Sequence, residues 1–541
     1  MSTVDALTAT TYGEELSATI GRARRDTMGD LLWRSAARHP DKTAVVFGEQ
    51  RTTFAQLDAT ANRVANALAE RGVQRGDRVG LLSRNSYGFV VTYFASARLG
   101  SICVPINYML SAAEVAYIVG HCVPSALVVE EALLPTAEEG MRQAGREDAI
   151  GVRAVIPADP GSPPGAAESL YSWMEHPSAE VPDVELEEND PLELLYTSGT
   201  ESRPKGTILT SRSVVAEHIS CFVDGQMSPD DVEVHALPLF HSAQLHCFFT
   251  PDVHLGATSV ILGRPNPAEM LAAVEAHRAT KLFCPPTVWI ALMHHPDFKR
   301  RDLSSLRKGY YGASIMPVEV LGELGEQLPD VRLFNFYGQT EMSPVATILG
   351  PEDQVRKAGS AGKAALYVET RVVDDDMTSV PPGAEGEIVH RSPQAMVGYW
   401  NDPEKTAETF RGGWLHTGDL GVLDEEGYLT VVDRIKDMIK TGGENVASRE
   451  VEEAIYEHPD VAEVAVFGVE HPKWIEAVTA AVVAREGRSI SKDELFAFCR
   501  ERLAGFKTPK YVLVLDELPK NPSGKILKRE LRTTYASLAR E

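Results

Sequence analysis

One stretch of the chain begins apolar and then breaks into hydroxyls, glycines and a lysine, a composition suited to phosphate chemistry. Leu194-Leu195-Tyr196 runs into Thr197-Ser198-Gly199-Thr200-Glu201-Ser202-Arg203-Pro204-Lys205-Gly206. In such a loop free backbone N–H groups, side-chain hydroxyls and one cation all favour polyanionic oxygens. It is not a Walker A loop, because Pro204 stands where the second glycine is needed and Gly206 where the Ser/Thr is needed. A kinase or P-loop NTPase is thereby excluded. The same composition also makes a polar surface turn, and the loop alone weighs the two readings evenly. Near the other end, Pro522 and Gly524 bracket a turn in Asn521-Pro522-Ser523-Gly524-Lys525-Ile526. That turn puts Lys525 at a loop tip, from which one cation can be delivered into a site on another domain. Lys520, Lys528 and Arg529 lie close by, so a solvated tail lysine is the plain alternative.

Such groups act only if rigid elements hold them. Helical and strand patterns alternate through most of the first 430 residues, which predicts α/β architecture with mainly parallel sheets. Thr43 to Phe47 reads as a strand turned by Gly48 and Glu49, and Phe54 to Arg71 as an amphipathic helix stopped by Gly72. Asp77 to Leu82 is strand-like, Tyr87 to Leu99 helical, and Ile102 to Ile106 strand-like again. Pro157 to Glu168 is a Pro/Gly/Ala stretch with little to bury, and reads as a surface loop. Beyond Arg434 the elements become short and charge-rich, as in a compact α+β unit of about 105 residues. The expected division is an N-terminal domain over 1–434, holding acid and ATP sites, and a mobile C-terminal domain over 435–541.

The chain has 541 residues, more than one hydrophobic core usually supports, and is 43% hydrophobic, 24% charged and 7% aromatic. Its net charge of −24 argues against a nucleic-acid surface or an anionic membrane as the main partner. Cys103, Cys122, Cys221, Cys247, Cys284 and Cys499 show neither CxxC nor His-linked spacing, which fits reduced thiols better than disulfides or zinc. Glu14, Glu15, Arg22, Arg24 and Arg25 interrupt the N-terminal region, and no run reaches the ~20 apolar residues that span a bilayer. The expectation is a soluble cytoplasmic protein, monomer or homodimer.

Set beside the first loop, other segments resolve its reading. Leu237-Pro238-Leu239-Phe240-His241-Ser242, Asn335-Phe336-Tyr337-Gly338-Gln339-Thr340-Glu341 and Gly413-Trp414-Leu415-His416-Thr417-Gly418-Asp419 follow it in order. Asp433-Arg434-Ile435-Lys436-Asp437-Met438-Ile439-Lys440 then runs into Thr441-Gly442-Gly443-Glu444-Asn445, and Asn521-Pro522-Ser523-Gly524-Lys525 completes the series. In order and spacing, over roughly residues 30 to 535, these resemble the core motifs of the acyl-CoA synthetase, adenylation-domain and luciferase superfamily. The resemblance is closest to fatty-acyl-CoA and 4-coumarate-CoA ligases.

The resemblance implies a large N-terminal domain of α/β subdomains plus a β-rich subdomain, and a small mobile α+β C-terminal domain pivoting near Lys436. It implies an ATP- and Mg2+-dependent ligase that makes an acyl-AMP from a small organic acid, releases pyrophosphate, and passes the acyl group to coenzyme A. Thr197 and Glu341 would coordinate Mg2+, while Ser198, Gly199, Thr200 and Lys205 hold the β- and γ-phosphates. Asp419 would accept the ribose hydroxyls, as acidic residues do in dinucleotide sites, with Arg434 as a second contact. Gly312, Ala313 and Ser314 with Phe336 and Tyr337 resemble the adenine slot, Tyr337 stacking on the base, and Asn335, Gly338, Gln339 and Thr340 would be further ATP/AMP contacts. Lys525 would bridge carboxylate and α-phosphate during adenylation only. Lys440, Gly442, Gly443 and Asn445 would line the thiol tunnel. Glu201 and Ser202 depart from the family's Thr-Gly, placing a negative charge in the phosphate loop, and Glu201 is expected to face solvent or pair with Arg203.

On the acyl side the implied pocket residues are His241, Ser242, Gln244 and His246, with Gly312, Phe336 and Gly338. His241 resembles the histidine that closes over the acyl carboxylate and later yields to the thiol. Peptide-synthetase adenylation domains carry an aspartate near this motif for the substrate's amino group. Leu239 to Ser242 offers no acid, which disfavours an amino-acid substrate. Phe336 stands where 4-coumarate-CoA ligases have glycine, and favours a medium-sized aryl or acyl acid over a very long chain. A carrier-protein thiol as acceptor, or adenylation of a non-carboxylate acid such as nitrite, would use the same motifs.

Overall fold

The structure is a computed structural model, and the residues it describes are 13–158, 167–197, 204–312, 316–441, 444–521 and 524–538. They fall into two compact units. The first is Met1–Pro265 with Thr340–Pro344 and Pro393–Pro403, and the second is Asn266–Gln339, Val345–Ser392 and Glu404–Glu541.

In the first unit an eight-stranded sheet has a mainly parallel centre built on Arg78–Leu82, Ile102–Ile106, Ala126–Glu130 and Val152–Ile156. Apart from Arg78, Glu130 and Arg153 these central strands are apolar, as suits strands covered on both faces. Tyr87–Leu99 is mostly apolar, and every one of its residues, Arg98 included, is buried. The Ser86 hydroxyl starts it by accepting the Phe89 N–H at 3.0 Å. At the sheet's other side Pro191–Thr197 lies parallel to Ile102–Ile106, pairs antiparallel with Lys205–Thr210, and is followed outward by Gly398–Tyr399. A further set of strands orders Val232–His235, Thr258–Ile261, Thr43–Phe47 and Gln50–Thr53.

The strands Thr43–Phe47 and Ile102–Ile106 and the helix Tyr87–Leu99 have the bounds their patterns predict, and Phe54–Glu70 ends one residue earlier than expected. Gln50–Thr53 was not legible. Its four polar residues show no apolar alternation, and it becomes a strand because the Gly48–Glu49 turn folds it back onto Thr43–Phe47. Residues 159–166 of the Pro/Gly/Ala stretch lie outside the described residues, and Glu168 at its end joins a short strand instead of a loop.

In the second unit Lys281–Phe283, Lys308–Gly312 and Arg332–Gly338 run parallel, then Val345–Leu349 and Lys363–Ala364 add antiparallel edges. Glu369–Val373, Glu385–Arg391, Leu415–Leu423 and Leu429–Arg434 form a wholly antiparallel sheet, the β-rich part that the resemblance implies. From Ile439 on, a sheet centred on Ile475–Ala484 and Val461–His471 packs with the helices Ser448–Tyr456 and Lys492–Arg502 around Val451, Ile455, Val466, Val478 and Leu495. All six cysteines are buried free thiols. Among the described residues no helix is long and apolar enough to cross a membrane.

Candidate active site

The candidate residues fall into two groups, one in each unit. In the first unit, Thr197 and Lys205 face each other as partners in the hairpin that flanks the phosphate loop. Ser198, Gly199, Thr200, Glu201, Ser202 and Arg203 lie outside the described residues. The hairpin is tied down at its mouth: the Tyr117 hydroxyl donates to Pro204 O at 3.0 Å, and Trp400 N to Gly206 O at 2.8 Å. Lys205 Nζ stands 5.4 Å from the centre of the Tyr399 ring, and the Tyr399 hydroxyl donates to Glu341 Oε1 at 2.8 Å. Glu341 itself sits in the single turn Thr340–Met342, and its carbonyl accepts Met396 N at 2.8 Å. Tyr399 therefore links the lysine and the carboxylate that the sequence singles out. It was missed because a lone tyrosine on a two-residue strand carries no pattern.

Beside this hairpin chemistry, His241 caps the short helix Ser242–Gln244, its Nδ1 accepting Ala243 N at 3.2 Å. Ser242 and Thr340 share a hydroxyl hydrogen bond of 2.9 Å. The next turn, Leu245–Phe249, is a π-helix, the kind of local widening that recurs at functional sites. Gln244 and His246 are 1% and 0% exposed, so both belong to the interior. Gln244 Nε2 donates to His235 Nδ1 at 2.7 Å, and His246 Nε2 is hydrogen-bonded to the buried Glu193 carboxylate. Glu193 lies on the strand that ends in Thr197, so this contact joins the His241 helix to the phosphate hairpin. Glu233, His235 and Asp252 also offer potential metal-binding atoms within 4.8 Å of one another. His235 is already engaged there: Nδ1 holds the Gln244 amide and Nε2 faces Asp252 Oδ2 at 3.3 Å.

In the second unit, the strand Arg332–Gly338 carries Asn335, Phe336, Tyr337 and Gly338, paired in parallel with Lys308–Gly312. Gly312 lies opposite Phe336, and a Cβ there would stand 2.3 Å from the Phe336 carbonyl oxygen, so only glycine fits. Ala313 and Ser314 lie outside the described residues. Phe336 is buried edge-on against Tyr310 at 5.3 Å, and the Asn335 amide donates to Ser360 O at 2.9 Å. Gln339 is half-buried at the strand's end. The Tyr337 hydroxyl donates to Asp419 Oδ2 at 2.7 Å, while Arg434 Nε faces Asp419 Oδ1 at 3.3 Å. Burial, then the negative charge of Asp419, push the Tyr337 phenol well above its ordinary range, which keeps it a donor. Asp419 is placed by the register Asp419↔Arg434 of two antiparallel strands, a pairing that no sequence spacing reveals.

Lys525 reaches the same neighbourhood. Repulsion from Arg434, then burial, push it from 10.5 down to about 8, against the pull of Asp419 and Asp437. Pro522 and Ser523 lie outside the described residues. Lys436 is exposed in a turn closed by Asp437 N and Met438 N on Arg434 O. Lys440 and Asn445 are exposed partners on adjacent strands, and Gly442 and Gly443 lie outside the described residues.

The described candidate residues are thus Tyr337, Asp419, Arg434 and Lys525 in one unit, and Thr197, Lys205, Tyr399 and Glu341 in the other. The AMP-binding enzyme family profile matches residues 32–400, and the AMP-binding enzyme C-terminal domain profile matches residues 450–525. The chain belongs to the AMP-binding enzyme family, within the acyl-CoA synthetase and adenylate-forming superfamily, and is an AMP-forming acid–thiol ligase. It is 36% identical to a feruloyl-CoA synthase of an Amycolatopsis species over 95% of this chain and 100% of that one. It is also 36% identical to an indoleacetate–CoA ligase of Aromatoleum aromaticum, over 94% and 98% of the two chains. Among solved structures it is similar to an anthranilate CoA ligase in complex with anthranoyl-AMP, with a TM-score of 0.88, 28% identity, and 95% and 98% coverage.

Proposed function

We propose that this ligase activates an aromatic or medium-sized organic acid and uses coenzyme A as its thiol acceptor. The observation that carries the reading is the grouping of Tyr337, Asp419, Arg434 and Lys525 in one unit, a set that can grip a nucleoside and present a cation. Support for an aromatic acid comes from relatives named for feruloyl, indoleacetate and anthranilate.

In the first half-reaction a carboxylate oxygen of the acid attacks the α-phosphorus of ATP, and pyrophosphate leaves with the broken P–O electron pair. Lys205 and the hairpin hydroxyls neutralise the departing phosphates, Asp419 accepts the ribose hydroxyls, and Tyr337 lies along the base. Lys525 bridges the incoming carboxylate and the α-phosphate, cancelling the repulsion between two anions. The Thr197 hydroxyl and Glu341 carboxylate are hard oxygen donors and fit Mg2+. When bound, the ion supplies charge neutralisation on phosphate oxygens. In the second half-reaction the thiol sulfur attacks the acyl carbon, AMP leaves with the C–O electron pair, and the thiol proton passes to solvent. We place the pivot between these steps at the exposed turn around Lys436, dividing 1–434 from 435–541, with Lys440 and Asn445 flanking the thiol path. His241 closes over the acyl carboxylate and yields to the thiol.

A panel of carboxylic acids scored by ATP–pyrophosphate exchange tests the acid. Acids such as ferulate and indoleacetate should outpace long-chain fatty acids, and the reverse ranking would sink the aromatic assignment. AMP release that stays flat on adding coenzyme A, but rises with a carrier protein, would replace the acceptor.

A further inference from the structure

The lysine loop is preformed. Lys520 and Ile526 make an antiparallel bridge, Gly524 N donates to Asn521 O at 2.9 Å, and Asn521 Oδ1 accepts Lys525 N at 2.8 Å. These bonds tie the backbone of Gly524 and Lys525 back to Asn521, but a lysine side chain is long, and where its ammonium stands depends on how the backbone before it is docked. One docking contact is present. The Gly524 carbonyl accepts a hydrogen bond from Thr287 Oγ1 at 3.3 Å. Thr287 opens the helix Pro286–His294 and follows the buried Pro285 and Pro286, whose fixed φ makes this shoulder stiff. The approach is tight. Gly524 has φ +81°, and a Cβ there would stand 2.7 Å from Thr287 Oγ1 and 3.4 Å from Pro285 Cγ. Both the backbone conformation and the room against Thr287 demand glycine, at the residue directly before the lysine.

We propose that Thr287, backed by Pro285, is the seat on which the lysine loop docks during adenylation: a positioning residue that fixes where Lys525 stands relative to Asp419 and Arg434. The inference rests on Lys525 serving the adenylation step. The seat holds the loop through the Gly524 backbone, so it acts on the rate of acyl-AMP formation and not on the choice of substrate. When the C-terminal segment pivots for thiol transfer the seat is vacated, and that half-reaction does not sense Thr287.

Three substitutions at this half-exposed position separate the possibilities, with Lys525→Ala as the reference. Thr287→Val keeps the shape and removes the donor, Thr287→Ser restores the donor, and Thr287→Trp fills the seat. Each is assayed for ATP–pyrophosphate exchange and for conversion of chemically supplied acyl-AMP to acyl-CoA. Thr287→Val should lower exchange kcat about fivefold, the scale of one lost hydrogen bond, with KM for ATP little changed and Thr287→Ser close to wild type. Thr287→Trp should cost about 50-fold or more in exchange, the scale of a catalytic group misplaced by about 1 Å. All three should convert supplied acyl-AMP within about twofold of wild type. If Thr287→Val and Thr287→Trp keep full exchange while Lys525→Ala is dead, the seat is wrong and the lysine assignment stands. If Thr287→Val and Thr287→Trp slow both half-reactions equally, the residue is merely structural. Wild-type exchange by Lys525→Ala would remove the reading on which the seat depends.

Discussion

With Lys525 in the adenylation role proposed for it, its depressed ionisation gives that step a pH signature. A lysine in water titrates near 10.5, whereas Arg434, and after it burial, bring this one down to about 8. Only the protonated ammonium bridges two anions, so activity is present below the folded-state value and lost as pH rises through it. With the group at about 8, about nine-tenths of the enzyme carries the charge at pH 7 and about one-tenth at pH 9. The kcat/KM for ATP–pyrophosphate exchange, which reports the free enzyme, should therefore fall about tenfold per pH unit above 8. Bound phosphates attract the cation, so the corresponding limb of kcat should lie higher. Arg434→Gln removes the largest cause of the depression and should move the kcat/KM limb upward, even though it weakens activity overall. Lys525→Arg keeps a cation that does not deprotonate in this range, and should abolish the limb. The thioester half-reaction from supplied acyl-AMP should lack it too, because Lys525 has left the site by then, and ionisation of the thiol adds a rise with pH instead. A Lys525→Arg enzyme with the same fall near pH 8 would refute the assignment of that proton to Lys525.

Other consequences are direct. Glu341→Gln and Asp419→Ala should each reduce acyl-AMP formation at least ~100-fold, the scale for removing a positioned electrostatic group, and wild-type exchange in either folded variant would contradict its role. Gly443→Trp should preserve acyl-AMP synthesis and lose acyl-CoA production, checked by running the two half-reactions separately; equal loss of both would count against a thiol path at that glycine. His246→Leu should destabilise the fold by about 3 kcal/mol in urea unfolding, because it strands the buried Glu193 carboxylate, and adding Glu193→Gln should restore most of that loss.

Much of the chemistry was legible along the chain because each group is announced by its neighbours. The broken apolar run before Thr197, the Asn-Phe-Tyr-Gly-Gln-Thr-Glu run and the turn around Lys525 are local signals, and local signals survive in a one-dimensional reading. The helix Tyr87–Leu99 and the strand Ile102–Ile106 were legible for the same reason: their apolar patterns are continuous and bounded by turn residues. Gln50–Thr53 failed that test because its strand character comes from a backbone partner and not from its own side chains.

Sequence by itself thus determined the class of enzyme, and it named the residues proposed for its adenylate chemistry. Tertiary structure alone decided what stands next to what. It put Tyr399 against both Lys205 and Glu341, hid Gln244 and His246 in the interior, set Asp419 between Tyr337 and Arg434, and laid Gly524 on Thr287. The reason is physical. Strand register and loop closure bring together residues far apart in the chain, and the charge on Lys525 is tuned by a guanidinium whose distance no spacing in the sequence encodes.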